Sequence, residues 1–239
     1  MNTPITRLLL FFIPAILLSN LVRFEIIDVA VTQSMLIEKL IRILLEGVSV
    51  AIFALIAMAM LRRQQPLRVS FLGNAPVHAI VAAVATVALY IVMNRNALTL
   101  TPLVLFASVS LVYAVFEEAG WRGYLFAELQ NKARWLQILG PGLLWYLWHL
   151  SFIQTTSVQA NLVFLGICLA ASWGLFGVVQ STRSILMAAT LHFAFGAVFT
   201  NQILKSYWHS PDHYIFIGLA FSISLIAIKL YENQTKPNN

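Results

Sequence analysis

Long apolar runs, each interrupted by a few charged or turn-forming residues, follow one another along almost the whole chain. A membrane-spanning helix needs about 20 mostly apolar residues, and scanning for that length predicts about eight spans. They lie near residues 7–22, 41–61, 75–94, 99–130, 141–155, 160–180, 184–204 and 213–230. The pattern therefore predicts an all-α polytopic membrane protein whose transmembrane helices form one bundle.

The spans predict a single transmembrane domain over residues 1–230, with its motif-bearing core at about 100–204, and a polar C-terminal tail at 231–239. Arg7 precedes an apolar run as in a signal peptide, but no small-x-small cleavage site follows, so we expect a retained first span. Gly140-Pro141-Gly142 is a strong turn signal and predicts Pro141 as the first residue of the fifth span.

Composition agrees with this pattern. The 239 residues are 60% hydrophobic and 10% charged, with a mean hydropathy of +0.82, whereas soluble domains are about 25% charged. Cys168 is the only cysteine, which excludes a disulfide within the chain. The basic residues are scattered between apolar runs rather than clustered, so we expect no nucleic-acid partner and a lipid bilayer around the chain.

The basic residues also predict an orientation, because Lys and Arg favour cytoplasmic loops. If both termini are cytoplasmic, nine of the fifteen lie inside, five lie outside, and Arg122 lies in the membrane. The inside set is Arg7, Arg62, Arg63, Arg68, Lys132, Arg134, Arg183, Lys229 and Lys236, and the outside set is Arg23, Lys39, Arg42, Arg95 and Lys205. We therefore expect an integral protein of a bacterial cytoplasmic membrane with both termini cytoplasmic.

Charged residues recur every fourth position ahead of the second span, at Glu38, Arg42 and Glu46. This spacing places them on one face of a helix. We interpret that face as solvated and interfacial rather than functional.

A different acidic group lies inside an apolar run, in Glu117-Glu118-Ala119-Gly120-Trp121-Arg122. Ionisable groups inside a membrane are costly and indicate a functional site by default. Glu118 and Arg122 are four residues apart with the acid first, so we expect them to form an ion pair. Glu117 shares a helix face with Tyr113 and Trp121 instead, away from Arg122. A carboxylate kept apart in a dry pocket suits a general base.

Two histidines lie in later spans, His149 in Trp145-Tyr146-Leu147-Trp148-His149 and His192 in Leu191-His192-Phe193. A single buried histidine most often only bonds a neighbouring helix. Together with Glu117, the two histidines indicate one site. Trp145 lies one turn before His149, where packing and orientation of the imidazole are equally good interpretations.

These residues resemble the CAAX protease and bacteriocin-processing family, also called the Abi family of intramembrane proteases. The resemblance covers about residues 100–200: Glu-Glu-x-x-x-Arg, then an aromatic-x-x-x-His, then a later His. The second motif usually begins with Phe, where this chain has Trp145. The third is usually His-x-x-x-Asn, where this chain has Gly196, and Asn201 lies on the opposite side of an ideal helix from His192.

The resemblance implies a glutamate-type endopeptidase without a cofactor. In such an enzyme Glu117 takes a proton from water, His149 holds that water, and His192 stabilises the oxyanion, with Glu118, Arg122 and Trp145 in support. The implied substrate is a peptide or protein precursor, with prenylated CAAX tails, bacteriocin leaders, pheromone precursors and C-terminal sorting tails all compatible.

Three alternatives stay open at this point. Zinc bound by Glu117, His149 and His192 would give a metal-dependent form of the same protease. A bacteriocin-immunity or binding protein of the membrane could keep the same polar cluster without cleaving anything. A transporter could use buried acids as a proton relay, although no internal symmetry of interrupted spans favours this.

Overall fold

The predicted apolar segments are helical in the computed structural model, which describes residues 3–27, 35–62, 66–199 and 210–235. The elements are α1 (Pro4–Arg23), α2 (Met35–Arg62), α3 (Pro76–Asn94), α4 (Leu100–Glu118), a π-helical turn (Ala119–Tyr124), α5 (Leu125–Glu128), α6 (Arg134–Trp148), α7 (Leu150–Thr155), α8 (Val158–Thr182), α9 (Ile185–Phe199) and α10 (Ser210–Thr235). The all-α prediction is confirmed.

Six helices within these ranges are long and apolar enough to cross a membrane. They are α1, α2, α3, the continuous run Leu100–Glu128, α8 and α10. The remaining two predicted spans correspond to shorter helices, since α6 and α9 have 15 residues each. Length alone therefore supports six spans, and the predicted number of about eight is approximate.

Pro141 does not begin a helix, contrary to the sequence-based prediction, but lies inside α6. The glycine after it allows a neighbouring helix to approach closely. A Cβ built on Gly142 would lie 3.1 Å from the Ser172 Cβ atom and 3.3 Å from the Cys168 carbonyl oxygen, so α6 and α8 are in close contact there. The Ser172 hydroxyl donates to the Ile138 carbonyl at 2.7 Å, in the turn that precedes Pro141. A neighbouring helix thus supplies a donor where a proline weakens the helix's own bonding.

The C-terminal helix continues beyond the predicted span. α10 ends at Thr235, so most of the predicted polar tail at 231–239 is helical as far as the structure describes it. Residues 236–239 lie outside the described residues.

The chain groups into two compact units, Met1–Val69 with Phe116–Gly177, and Ser70–Val115 with Val178–Asn239. In the first, α1 packs along α2, and α2 also packs against the π-helical turn. In the second, α3 packs against α9 and α10 around a core that contains Tyr90, Phe193 and Phe216. The predicted single domain over 1–230 stays a prediction.

Within the second unit, the loop before α3 holds the start of α9. The amide N–H groups of Ile185 and Leu186 donate to the carbonyls of Ser70 and Phe71, at 3.1 and 3.0 Å. Both amides belong to the first turn of α9. The N–H groups of a first turn have no carbonyl acceptor inside their own helix. Gly73 permits this close approach, because its φ is +66° and a Cβ there would overlap the Thr182 carbonyl.

The charged face of α2 is not simply solvated, which corrects the interpretation from the sequence. Glu46 pairs with Arg23 of α1 at 2.9 Å, and Arg42 lies 3.7 Å from Glu25, just beyond α1. Because α1 and α2 lie side by side, charges four residues apart on α2 meet partners on its neighbour.

The predicted orientation can be tested at exposed positions on a Cys168→Ala background. Asn233→Cys, near the end of α10, should react with an impermeant maleimide only after the cytoplasmic side is opened, whereas Arg95→Cys should react in intact cells. The reason is the nine-to-five bias of basic residues. Labelling of position 233 in intact cells would reverse the orientation.

Candidate active site

The paired acids occupy the C-terminal end of α4, where Glu117 and Glu118 are 1% and 0% exposed. The helix then widens into the π-helical turn. Gly120 allows this turn to lie against α1 and α2, because a Cβ on it would be 2.6 Å from the Val50 Cγ1 atom and 2.8 Å from the Phe11 Cζ atom. π-Helical turns are rare and frequent at functional sites. The 3.6-residue periodicity of apolar residues, which predicts α-helices, does not predict a π-helical turn.

Glu118 and Arg122 form the expected ion pair, with 3.0 Å between Glu118 Oε1 and Arg122 Nη1. Both side chains are almost completely buried. The Arg122 guanidinium also lies 4.9 Å from the centre of the Trp145 ring, within range of a cation–π contact. The buried cation is therefore neutralised by Glu118 and covered by an aromatic ring.

Glu117 makes a different set of contacts. Its Oε2 atom accepts from the indole N–H of Trp121 at 3.2 Å and from the indole N–H of Trp145 at 2.9 Å. The expected face shared with Trp121 is confirmed. Two neutral donors, one on the π-helical turn and one on α6, therefore orient the Glu117 carboxyl group.

His149 lies where the helix breaks between α6 and α7, with φ −84° and ψ 45°. Its Nδ1 atom is 2.8 Å from the Trp145 carbonyl oxygen. A carbonyl only accepts, so Nδ1 carries the hydrogen and, in the neutral ring, Nε2 carries the lone pair. The ring edges of Trp148 and Phe164 approach the imidazole at 4.8 and 5.0 Å between centroids. Side-chain packing and one hydrogen bond therefore fix the orientation of His149.

Trp145 connects the acid to the histidine. Its indole N–H binds Glu117 and its carbonyl binds His149, and its ring packs 6.2 Å from the imidazole. The sequence left packing and orientation equally open for Trp145, and the structure assigns it both. No signal in the sequence indicated the bond to Glu117, since it joins residues 28 positions apart.

His192 belongs to the second unit, in α9. It is 8% exposed and follows the fixed start of α9 by seven residues. Its neighbour Phe193 packs edge-on against Tyr90, with 5.5 Å between the ring centroids. These contacts hold the part of α9 that carries His192.

Gly196 lies one turn after His192. Among the described residues, the atom nearest to a Cβ built on Gly196 is the His192 Cδ2 atom, at 4.0 Å. A side chain at this position would start beside the imidazole in ordinary van der Waals contact. Asn201, which sequence reasoning placed on the far side of the helix, lies outside the described residues.

No group of three or more His, Cys, Asp or Glu side chains converges as a metal-binding set in the described part of the chain. The expectation of no cofactor, and its zinc alternative, stay predictions.

Sequence reasoning missed two interhelical ion pairs. Arg7 of α1 binds Glu128 of α5 through two hydrogen bonds, Nε to Oε2 at 2.8 Å and Nη2 to Oε1 at 2.7 Å. Arg23, at the other end of α1, binds Glu46. The pattern of basic residues had placed both arginines in loops on opposite sides of the membrane. No local spacing could have found these pairs, because their partners lie on separate helices.

The two acids should contribute differently to stability. Glu118→Gln leaves the buried Arg122 cation without its counter-charge and should lower the free energy of unfolding by about 3 kcal/mol. Glu117→Gln keeps an amide oxygen that can accept from the two indoles, so its cost should be smaller, about 1 kcal/mol. Thermal unfolding of the purified variants in detergent measures the difference. Equal losses of stability in Glu118→Gln and Glu117→Gln would contradict the different contributions of the two acids.

Comparison with known proteins agrees with the motif pattern. Residues 99–198 match the family model described as type II CAAX prenyl endopeptidase Rce1-like. No curated protein and no solved structure matches the chain. The matched range contains the acid motif and both histidines, and apolar helices long enough to span a membrane precede and follow it in the sequence. Over residues 99–198 the chain is therefore similar to the type II CAAX prenyl endopeptidase Rce1-like family, in agreement with the resemblance that the motifs indicated.

Proposed function

We propose that the protein is a glutamate-type intramembrane endopeptidase in which Glu117 activates the attacking water. The observation that carries the proposal is the state of this carboxylate. It is buried, it is oriented by two indole N–H groups, and the nearby arginine is committed to Glu118. A carboxylate held in a fixed orientation is what proton abstraction from water requires.

His149 has the second role in this mechanism. With Nδ1–H bound to the Trp145 carbonyl, the lone pair of Nε2 accepts a hydrogen from the water. The water then has one proton directed to Glu117 and the other to His149, and its oxygen is presented to the scissile carbonyl carbon. Glu117 takes the first proton as the carbon–oxygen bond forms and returns it to the leaving amine.

His192 is the proposed donor to the oxyanion of the tetrahedral intermediate. A buried donor aimed at developing charge acts in a low dielectric, where it is worth more than in water. Gly196 has no side-chain donor, so His192 carries this role without the amide that the family pattern places one turn later.

The substrate that best fits the proposal is a prenylated peptide ending in a CAAX tail. The description of the matching family, a prenyl endopeptidase, supports a lipid-modified cysteine next to the cleaved bond. Several spanning helices expose large apolar side chains, which suits a lipid-modified substrate that reaches the protein from the bilayer. Bacteriocin leaders, pheromone precursors and sorting tails remain alternative substrates of the same chemistry.

Two other functions predict different experimental results. A zinc-dependent protease would use Glu117, His149 and His192 as ligands, but the groups around Glu117 are N–H donors and a guanidinium, which suit an anion rather than a divalent cation. A bacteriocin-immunity or other binding protein would need the polar cluster for recognition only.

Replacing the proposed base should abolish cleavage without unfolding the protein. Glu117→Gln should retain binding of a farnesylated CAAX peptide carrying a fluorophore and a quencher, yet give no turnover, because the amide cannot take the water's proton. His149→Ala should be almost as inactive, and His192→Ala should lower kcat by about 10²- to 10³-fold. Fluorescence release by the purified protein in detergent measures each rate.

Glu128→Gln is the matched control. Glu128 is also a buried carboxylate in the same run of helix, but its partner is Arg7. The variant should keep kcat per folded molecule. Cleavage by Glu117→Gln at the wild-type rate would overturn the role of Glu117 as the base, and binding of the peptide without cleavage by the wild type would favour a binding protein. About one zinc per chain, together with reversible inhibition by a chelator, would support the metal-dependent alternative.

Gly196→Asn tests the missing amide. A Cβ at position 196 would lie 4.0 Å from the His192 Cδ2 atom, so an asparagine side chain there would begin in ordinary van der Waals contact with the imidazole. We expect kcat to rise in Gly196→Asn, because the amide would donate a second hydrogen bond to the oxyanion. Gly196→Ala is the control, since it adds a methyl group but no donor. An unchanged rate in Gly196→Asn would mean that another group already fills this role.

A further inference from the structure

The helix break at His149 leaves backbone carbonyls that need partners. The last four carbonyls of a helix have no hydrogen-bond donor inside the helix. In the interior of a membrane protein, other protein groups have to supply the donors. His149 itself satisfies two: its N–H donates to the Tyr146 carbonyl at 3.0 Å, and its ring binds that of Trp145. The carbonyl of Trp148, directly before His149, is satisfied by a different helix.

That partner is Arg23 of α1. Its Nη1 donates to the Trp148 carbonyl at 2.9 Å, and Asn20 donates to the same oxygen at 3.3 Å. The Arg23 guanidinium also stacks on the Trp148 ring, with Cζ 3.6 Å from the centroid. A cation at the C-terminal end of a helix is favoured by the helix dipole as well. Arg23 therefore holds both the backbone and the side chain of the residue next to His149.

Arg23 is itself held in place. Its Nε binds Glu46 of α2 at 2.9 Å. On the other side of Trp148, the indole N–H donates to the Ser19 hydroxyl at 3.0 Å, and Ser19 bonds Ser49 of α2. Trp148 is completely buried among these groups. Its position is fixed by α1 and α2, neither of which lies in the region that matches the family model.

We propose that Arg23 is a positioning residue for His149: by binding the Trp148 carbonyl it keeps α6 ended there and directs the imidazole Nε2 to the water that Glu117 activates. This rests on the proposed function of Glu117 and His149. Arg23 touches neither the water nor the substrate in this mechanism and acts only through Trp148. Without it, the Trp148 carbonyl can turn to a backbone N–H of α7, and the imidazole moves with the backbone.

The expected kinetic signature is a loss in kcat with little change in KM. His149 holds the water rather than the peptide, so its displacement weakens the transition state and spares substrate binding. Arg23→Gln should lower kcat about 10²-fold, the scale of a displacement of about 1 Å in a catalytic group. Arg23→Lys should recover most of that rate, because an ammonium can still donate to the carbonyl and pair with Glu46.

Arg7→Gln is the matched control. Arg7 lies on the same helix, is buried, and pairs with a glutamate, but its partner Glu128 is on α5. Both Gln variants lose an interhelical ion pair and should have a lower melting temperature in detergent. Only Arg23→Gln should lose kcat per folded molecule on the farnesylated CAAX peptide. Equal kcat losses in the two variants, or a wild-type kcat in Arg23→Gln, would overturn the proposal.

A second measurement works without turnover and separates this proposal from the proposed function. The ¹⁵N imidazole resonances of His149, assigned among the five histidines by their loss in His149→Gln, report its tautomer and hydrogen bonding. They should shift in Arg23→Gln and stay in place in Arg7→Gln. If the wild type shows no cleavage and the shift still appears in Arg23→Gln, Arg23 positions His149 and the proposed peptidase function is wrong. If the wild type cleaves and the resonances do not move in Arg23→Gln, positioning fails and the peptidase stands.

Discussion

Charge placed inside a membrane protein has to be balanced within the protein, and the arrangement of this site depends on how Glu118 balances Arg122. The pair is buried at 3.0 Å, so the guanidinium is committed to one of two adjacent acids. Glu117 is oriented by indole N–H groups instead. The two adjacent acids therefore have different partners, which supports the separate roles that we propose for them.

Departures from regular helix place the other functional groups. The π-helical turn follows the acids directly, and Gly120 brings it against α1 and α2. At the break at His149, the Trp148 carbonyl accepts hydrogen bonds from Arg23 and Asn20 of α1. Irregular backbone inside a membrane protein persists only when such partners exist. Both irregularities lie where α1 and α2 supply packing or donors, so these two helices hold the parts of α4 and α6 that carry the candidate site residues.

Indole rings contribute in a way that aliphatic residues could not. Trp121 and Trp145 direct their N–H groups to Glu117, and the Trp148 ring lies against Arg23 on one side and the His149 imidazole on the other. A buried tryptophan fills space and still donates one hydrogen bond. The chain has Trp145 where the family pattern usually has Phe, and only the indole can bind Glu117 in this way. The acid and the histidine are consequently connected through a single residue.

Local periodicity and composition determined the membrane class, most helix positions and one ion pair from the sequence alone. Apolar runs of spanning length indicated the membrane helices, and a four-residue spacing indicated the Glu118–Arg122 pair, because helix geometry fixes which neighbours meet. The order of the motifs was sufficient to indicate the resemblance to the CAAX protease family over residues 99–198. Tertiary structure decided the rest: the pairing of Arg7 with Glu128 and of Arg23 with Glu46, the continuation of α6 through Pro141, the π-helical turn, and the bond from Trp145 to Glu117. Each of these joins helices distant in sequence or depends on what a neighbouring helix donates. A local pattern specifies which face of a helix is apolar or charged, but the partner of that face is set by how the helices pack.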